Sequence, residues 1–135
     1  MSEDLSPVEA FELVATDPRA VLIDVRTRAE WSYVGLPDLS RVGKQVVPIE
    51  WTLTSGGHND RFVQQLEEAV PHHDAPLAFI CRSGHRSRAA AAAAAAAGYS
   101  ITHNVAEGFE GDVDSSGHRG TVGGWKVAGL PWRQT

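Results

Sequence analysis

The chain has a single cysteine, Cys81, in 135 residues. One thiol excludes an intramolecular disulfide framework, and no second cysteine is present to resolve an oxidised one. A reducing cytoplasm is the simplest setting for such a chain. Long apolar runs are also missing. The only low-complexity stretch is a run of nine alanines, Ala89 to Ala97, about half of the ~20 residues that span a bilayer. The start, Met1-Ser2-Glu3-Asp4, is acidic where a secretory leader is basic. The expectation is therefore a cytoplasmic protein with no membrane partner. Basic excess is absent too. The net charge is −5, which excludes the basic stripe that nucleic acid requires. The composition, 42% hydrophobic and 21% charged, is that of a soluble globular chain with room for one domain.

Helices alternate with short apolar strands. Ser6-Pro7-Val8-Glu9 combines an N-cap, a first-turn proline and a glutamate three residues after the cap. It predicts a helix to about Ala15. Thr27-Arg28-Ala29-Glu30 is a second capping box, opening a helix through Tyr33. Val21 to Val25, Gln45 to Ile49, Leu77 to Ile80 and Ile101 to Val105 read as strands. Apolar residues at Phe62, Val63, Leu66, Ala69 and Val70 have helical spacing, and Arg86 to Ala97 predicts a helix closed by Gly98. The tail from about 112 is rich in glycine and tryptophan, with a short helix expected over 121–128. This alternation predicts a parallel sheet of about five strands with helices on both faces. Ligands of such sheets sit beyond the strand C-termini, where Asp24, Cys81 and Asn104 converge.

Cys81-Arg82-Ser83-Gly84-His85-Arg86-Ser87 carries the chemistry. It joins a predicted strand to a predicted helix. Amides at a helix start and nearby guanidinium groups stabilise a thiolate and an anionic substrate alike. Arg82 and Arg86 are candidate anion binders, and Arg88 reads as a surface residue. Gly84 suits a turn that aims successive amides inward. Ser83 and Ser87 are candidates to donate hydrogen bonds to the sulfur or to cap the helix. His85 is a candidate proton carrier or a solvent-facing side chain. Asp112 to Gly117 mimics the opening of a calcium loop, but its twelfth position is Gly123, not a bidentate glutamate. His72-His73-Asp74 reads as a polar turn. No metal site is expected.

In order along the chain, Ser6-Pro7-Val8-Glu9-Ala10, Leu22-Ile23-Asp24-Val25-Arg26 with Glu30-Trp31 and Gly35, the Cys81 loop, and Asn104-Val105-Ala106 with Gly108 resemble the signatures of single-domain rhodaneses. The resemblance implies a rhodanese-like domain over 1–135, with an extension from about 112. It implies a sulfurtransferase in which Cys81 carries a sulfane sulfur as a persulfide. The amides of Arg82, Ser83, Gly84, His85, Arg86 and Ser87 would surround that sulfur. Thiosulfate or a similar anion would be the donor. Cyanide, a thiol or a protein thiol would be the acceptor, and no cofactor would be needed. It also implies that Asp24 orients the loop and that Arg26 pairs with Glu30. The chain departs from the family at Gly35-Leu36-Pro37, in a longer 37–47 stretch, and at Glu107, where a second glycine is common. A left-handed Glu107 would be strained, and a pocket-facing one would oppose a thiolate.

Two other classes compete. A persulfide carrier or binding module would serve one protein partner, docking on the 35–49 segment or the tail. A cysteine phosphatase or arsenate reductase commonly has five residues between cysteine and arginine. Here four separate Cys81 from Arg86 and six separate it from Arg88, so the loop suits one sulfur atom better than a tetrahedral oxyanion.

Overall fold

The computed structural model describes residues 2–134. Five parallel strands form its central sheet: β1 (Ser2–Leu5), β2 (Val21–Asp24), β4 (Val47–Pro48), β5 (Leu77–Ile80) and β6 (Thr102–Val105), in the order β1-β6-β5-β2-β4. A separate antiparallel pair joins β3 (Leu36–Pro37) to β7 (Trp132–Arg133). The helices are α1 (Pro7–Thr16), α2 (Arg28–Tyr33), α3 (Phe62–Ala69) and α4 (His85–Ala96). This is the α/β architecture expected from the alternation.

Both capping boxes form. Ser6 accepts from the Glu9 amide while Glu9 accepts from the Ser6 amide. Thr27 and Glu30 exchange the same pair of bonds. Strands β2 and β5 are buried on both faces, which is why they read as apolar runs. On one face Ile23, Leu77 and Phe79 pack with Phe62, Leu66 and Tyr99 and with Ala90, Ala91 and Ala94 of α4. The alanines let α4 lie close to the sheet. On the other face Leu22, Ala78, Ile80 and Val105 pack with Ala10, Val14, Phe109 and Trp125.

One expectation needs correction, and one element is new. The 121–128 segment is a series of turns and not a helix, because Gly120, Gly124 and Gly129 adopt left-handed backbone that interrupts helical propagation. The first strand was not foreseen: Ser2–Leu5 pairs in parallel with Thr102–Val105 as a sheet edge.

The tail is part of the packed body. Trp125 is fully buried, meets Phe11 edge-on at 5.9 Å between ring centroids, and donates from Nε1 to the Pro131 carbonyl at 2.7 Å. Leu130-Pro131-Trp132 packs back on the body, as expected, through the pairing of β7 with β3.

Candidate active site

Cys81 follows β5 directly and is buried. The backbone then turns through Ser83 and Gly84 into α4. Gly84 has φ +104°, and a Cβ there would stand 2.2 Å from the Ala106 carbonyl oxygen. Gly108 makes the matching approach: a Cβ on it would lie 2.5 Å from the Arg82 carbonyl oxygen. Glycine at both positions lets the 106–111 loop close over the Cys81 loop. Three bonds fasten the two: Phe109 N–H to Cys81 O at 2.8 Å, Glu110 N–H to Arg82 O at 3.0 Å and Gly111 N–H to Arg82 O at 3.1 Å.

The Gly84 amide donates to Cys81 Sγ at 3.1 Å. Among the described residues, the amides of Ser83, His85, Arg86 and Ser87 donate to no backbone carbonyl, as expected at a helix N-terminus. Ser87 is buried, with Oγ 3.2 Å from Sγ and 2.5 Å from Asn104 Oδ1. The alternative capping role for the serines does not hold, because Gly84 is the cap residue of α4 and makes no side-chain cap bond. Arg82 and His85 are exposed on the rim, and Ser83 is half-buried.

The charges beside the loop are paired. Arg86 makes a bidentate ion pair with Glu30, at 2.7 and 3.0 Å. Burial would raise the Glu30 carboxyl, but Arg86 and the Thr27 amide and hydroxyl outweigh it and hold the group at about 2. Glu30 in turn raises Arg86 further above its ordinary range. Arg88 pairs with Asp4 of β1 at 3.3 Å.

Arg26 does not pair with Glu30, contrary to the expectation from resemblance. It is fully buried and grips Asp24 through Nε and Nη2, donates from Nη2 to the Gly35 carbonyl at 2.6 Å, and lies 4.3 Å from the Phe109 ring centroid. Asp24 is equally buried. The pair therefore braces the base of the site, joining the end of β2 to the Gly35 turn and to the 106–111 loop. Glu107 is not in left-handed backbone. Its Oε1 accepts from the Gly124 amide at 2.9 Å, anchoring the tail. Asp114 likewise organises its own turn, accepting from the Ser116 and His118 amides and the Thr121 hydroxyl.

Sequence reasoning placed Asn104 at the right sheet edge but gave it no bond partners. It missed Asp4 altogether, because the start of the chain carried no strand signal.

A parallel α/β sheet that delivers a buried thiol into a loop at a helix start, with a backbone amide on the sulfur, defines a class of cysteine-loop domain. A family model of the rhodanese-like domain matches residues 7–114, and the chain belongs to that family. An uncharacterized protein of Rickettsia conorii is 33% identical over 131 residues, with 97% of each chain covered. The crystal structure of Rv0390 from M. tuberculosis matches with a TM-score of 0.92 and 48% identity, covering 100% of this chain and 98% of that one. Both matches extend through the tail that the family model omits. The solution structure of a polysulfide-sulfur transferase homodimer from Wolinella succinogenes shares the fold, with a TM-score of 0.66 and 20% identity over 99% of this chain and 80% of that chain. Among the described residues, no helix is long and apolar enough to cross a membrane.

Proposed function

We propose that the protein is a sulfurtransferase that carries sulfane sulfur on Cys81. The observation that carries this reading is the Gly84 amide 3.1 Å from Sγ, in a loop where the amides of His85, Arg86 and Ser87 donate to no backbone carbonyl among the described residues. Such a cradle stabilises a small sulfur anion without a cofactor. The Cys81 thiolate attacks the outer sulfur of thiosulfate or a related donor. A new S–S bond forms on Sγ, the donor's S–S bond breaks, and sulfite leaves with the electron pair. Cyanide or a thiolate then attacks the outer persulfide sulfur. The thiolate is regenerated, and thiocyanate or a new persulfide departs. Arg82 and His85, on the rim, meet the incoming anion, and Asp24 with Arg26 holds the floor. Four residues between Cys81 and Arg86 favour a single sulfur over a phosphate, so aryl phosphate hydrolysis is expected to be negligible.

One observation favours a second reading. Arg86 is spoken for by Glu30, and Arg88 by Asp4. That pairing leaves less positive charge for a dianion than the sequence suggests. A persulfide carrier, loaded by a less charged donor and discharged to one protein thiol, fits this charge balance.

Intact mass spectrometry after thiosulfate, on wild type and Cys81→Ser, tests both. A gain of one sulfur on wild type alone, lost to cyanide as thiocyanate, supports the sulfurtransferase. A persulfide that forms but resists cyanide selects the carrier. No gain from thiosulfate or polysulfide refutes both and leaves a binding module.

A further inference from the structure

The hydrogen bonds behind Cys81 have a direction. Asn104 is buried at 1% exposure. Its Nδ2 faces two acceptors, the Gly84 carbonyl and Asp4 Oδ1, each at 3.3 Å. Reversing the amide would set its oxygen against both and its NH2 against Ser87, so the orientation is fixed by its partners. Asn104 Oδ1 therefore faces Ser87 Oγ at 2.5 Å as an acceptor. The one hydroxyl proton of Ser87 lies on that line. What Ser87 presents to Sγ at 3.2 Å is a lone pair. Only a protonated sulfur satisfies it, with S–H as the donor.

We propose that Asn104 is a positioning residue: by holding the Ser87 hydroxyl turned away from Cys81, it keeps the resting nucleophile as a hydrogen-bonding thiol. Ionisation sends the thiol proton to solvent. The thiolate is best served when the Ser87 O–H swings to the sulfur, which breaks its hydrogen bond to Asn104 Oδ1 and makes one to Sγ, the two oxygens then moving apart. The exchange gives the site two states, a thiol state locked by Asn104 and a thiolate or persulfide state in which Ser87 joins Gly84 as a donor. A hydrogen bond that serves only the neutral form disfavours the charged one.

The charged groups around the sulfur are arranged as three ion pairs: Arg86 with Glu30, Arg26 with Asp24, and Arg88 with Asp4. Each is neutral as a unit. On the covering loop Glu107 is turned to the Gly124 amide and Glu110 is half-buried, its amide on the Arg82 carbonyl, and Arg82 and His85 are exposed on the cysteine loop itself. The Ser87 proton is thus the switchable dipole in contact with Sγ. Asp4 takes part because β1 brings it beside β6, where it accepts from Asn104. The inference rests on Cys81 being the reactive nucleophile of the proposed function, and not on which donor loads it.

The test is the pH profile of Cys81 alkylation by iodoacetamide, in which a C–S bond forms and iodide leaves. It uses wild type, Asn104→Leu, Ser87→Ala and the double variant, with no sulfur donor present. Asn104→Leu frees the Ser87 hydroxyl to donate to sulfur. The profile is expected to move about one unit to lower pH, a roughly tenfold faster reaction on its rising limb. In the Ser87→Ala background the same substitution is expected to change the rate less than twofold. No movement, movement to higher pH, or equal movement in both backgrounds overturns the proposal.

If Asn104→Leu fails to fold, the S–H stretching band decides, and one cysteine gives one band. A Raman band lower in wild type than in Ser87→Ala supports the S–H to Ser87 bond, and identical bands overturn it. Because both measurements read the bare thiol, their failure is distinct from a failure of sulfur transfer.

Discussion

Replacing Glu30 by glutamine separates the charge of this site from its shape. Glutamine keeps the N3 role in the Thr27 capping box and removes the negative charge opposite Arg86. In the wild type the carboxyl is held at about 2 against an ordinary 4.5. That difference corresponds to about 3 kcal/mol at 1.36 kcal/mol per unit. The side chains of Glu30 and Arg86 retain 20% and 27% exposure, so solvent screening reduces the expected loss to about 2 kcal/mol. The sign follows from the depressed value. A carboxyl that ionises more readily in the folded state contributes its full stability above about 4.5, and that contribution fades as pH falls toward 2. Urea unfolding of both proteins should therefore show a gap of about 2 kcal/mol from pH 7 to 5 that narrows between pH 4.5 and 2.5. A gap that is absent at pH 7, or constant to pH 2.5, would refute the reasoning. The same variant bears on the donor. Releasing Arg86 adds one positive charge near the loop, on the order of 1 kcal/mol for an anion close by at near-surface screening. The KM for thiosulfate should fall about fivefold at low salt and converge with wild type at high salt.

Gly84→Ala forces a Cβ against the Ala106 carbonyl at a backbone φ of +104°. It should lower persulfide formation at least tenfold by intact mass while the far-UV circular dichroism stays native. Asp24→Asn leaves the fully buried Arg26 without its countercharge, a loss of about 3–5 kcal/mol for a broken buried pair, measurable by chemical denaturation; a change under 1 kcal/mol would count against it. Trp125→Ala empties a site with 0% exposure between α1 and the sheet. It should destabilise by about 3–5 kcal/mol, and an unchanged urea midpoint would mean that the tail does not contribute to the core.

What the sequence disclosed and what it hid divide along the range of the interactions involved. The capping boxes at Ser6 and Thr27 close within three residues, and both helices began where those motifs put them. Strands β2 and β5 were legible because burial on two faces writes an apolar run. Strand β1 was not, since its place at the sheet edge is set by backbone pairing with β6, about a hundred residues away. The pairing of β3 with β7 is two residues long on each side and equally remote. Within the site the same rule holds. The loop is a local motif, and its glycine and thiol could be read directly. Glu30 could be read as a cap, but the same carboxylate also holds Arg86, 56 residues on, and nothing local signals the second bond. The expected partner, Arg26, is closer in sequence, yet the end of β2 turns it onto Asp24 and the Gly35 carbonyl instead. Asn104 joins four elements at once: its own strand, the cysteine loop, the start of α4 and the edge strand β1. The thiol proposed to react can thus be named from seven consecutive residues. The hydroxyl that faces it is oriented by side chains that only the folded sheet brings together.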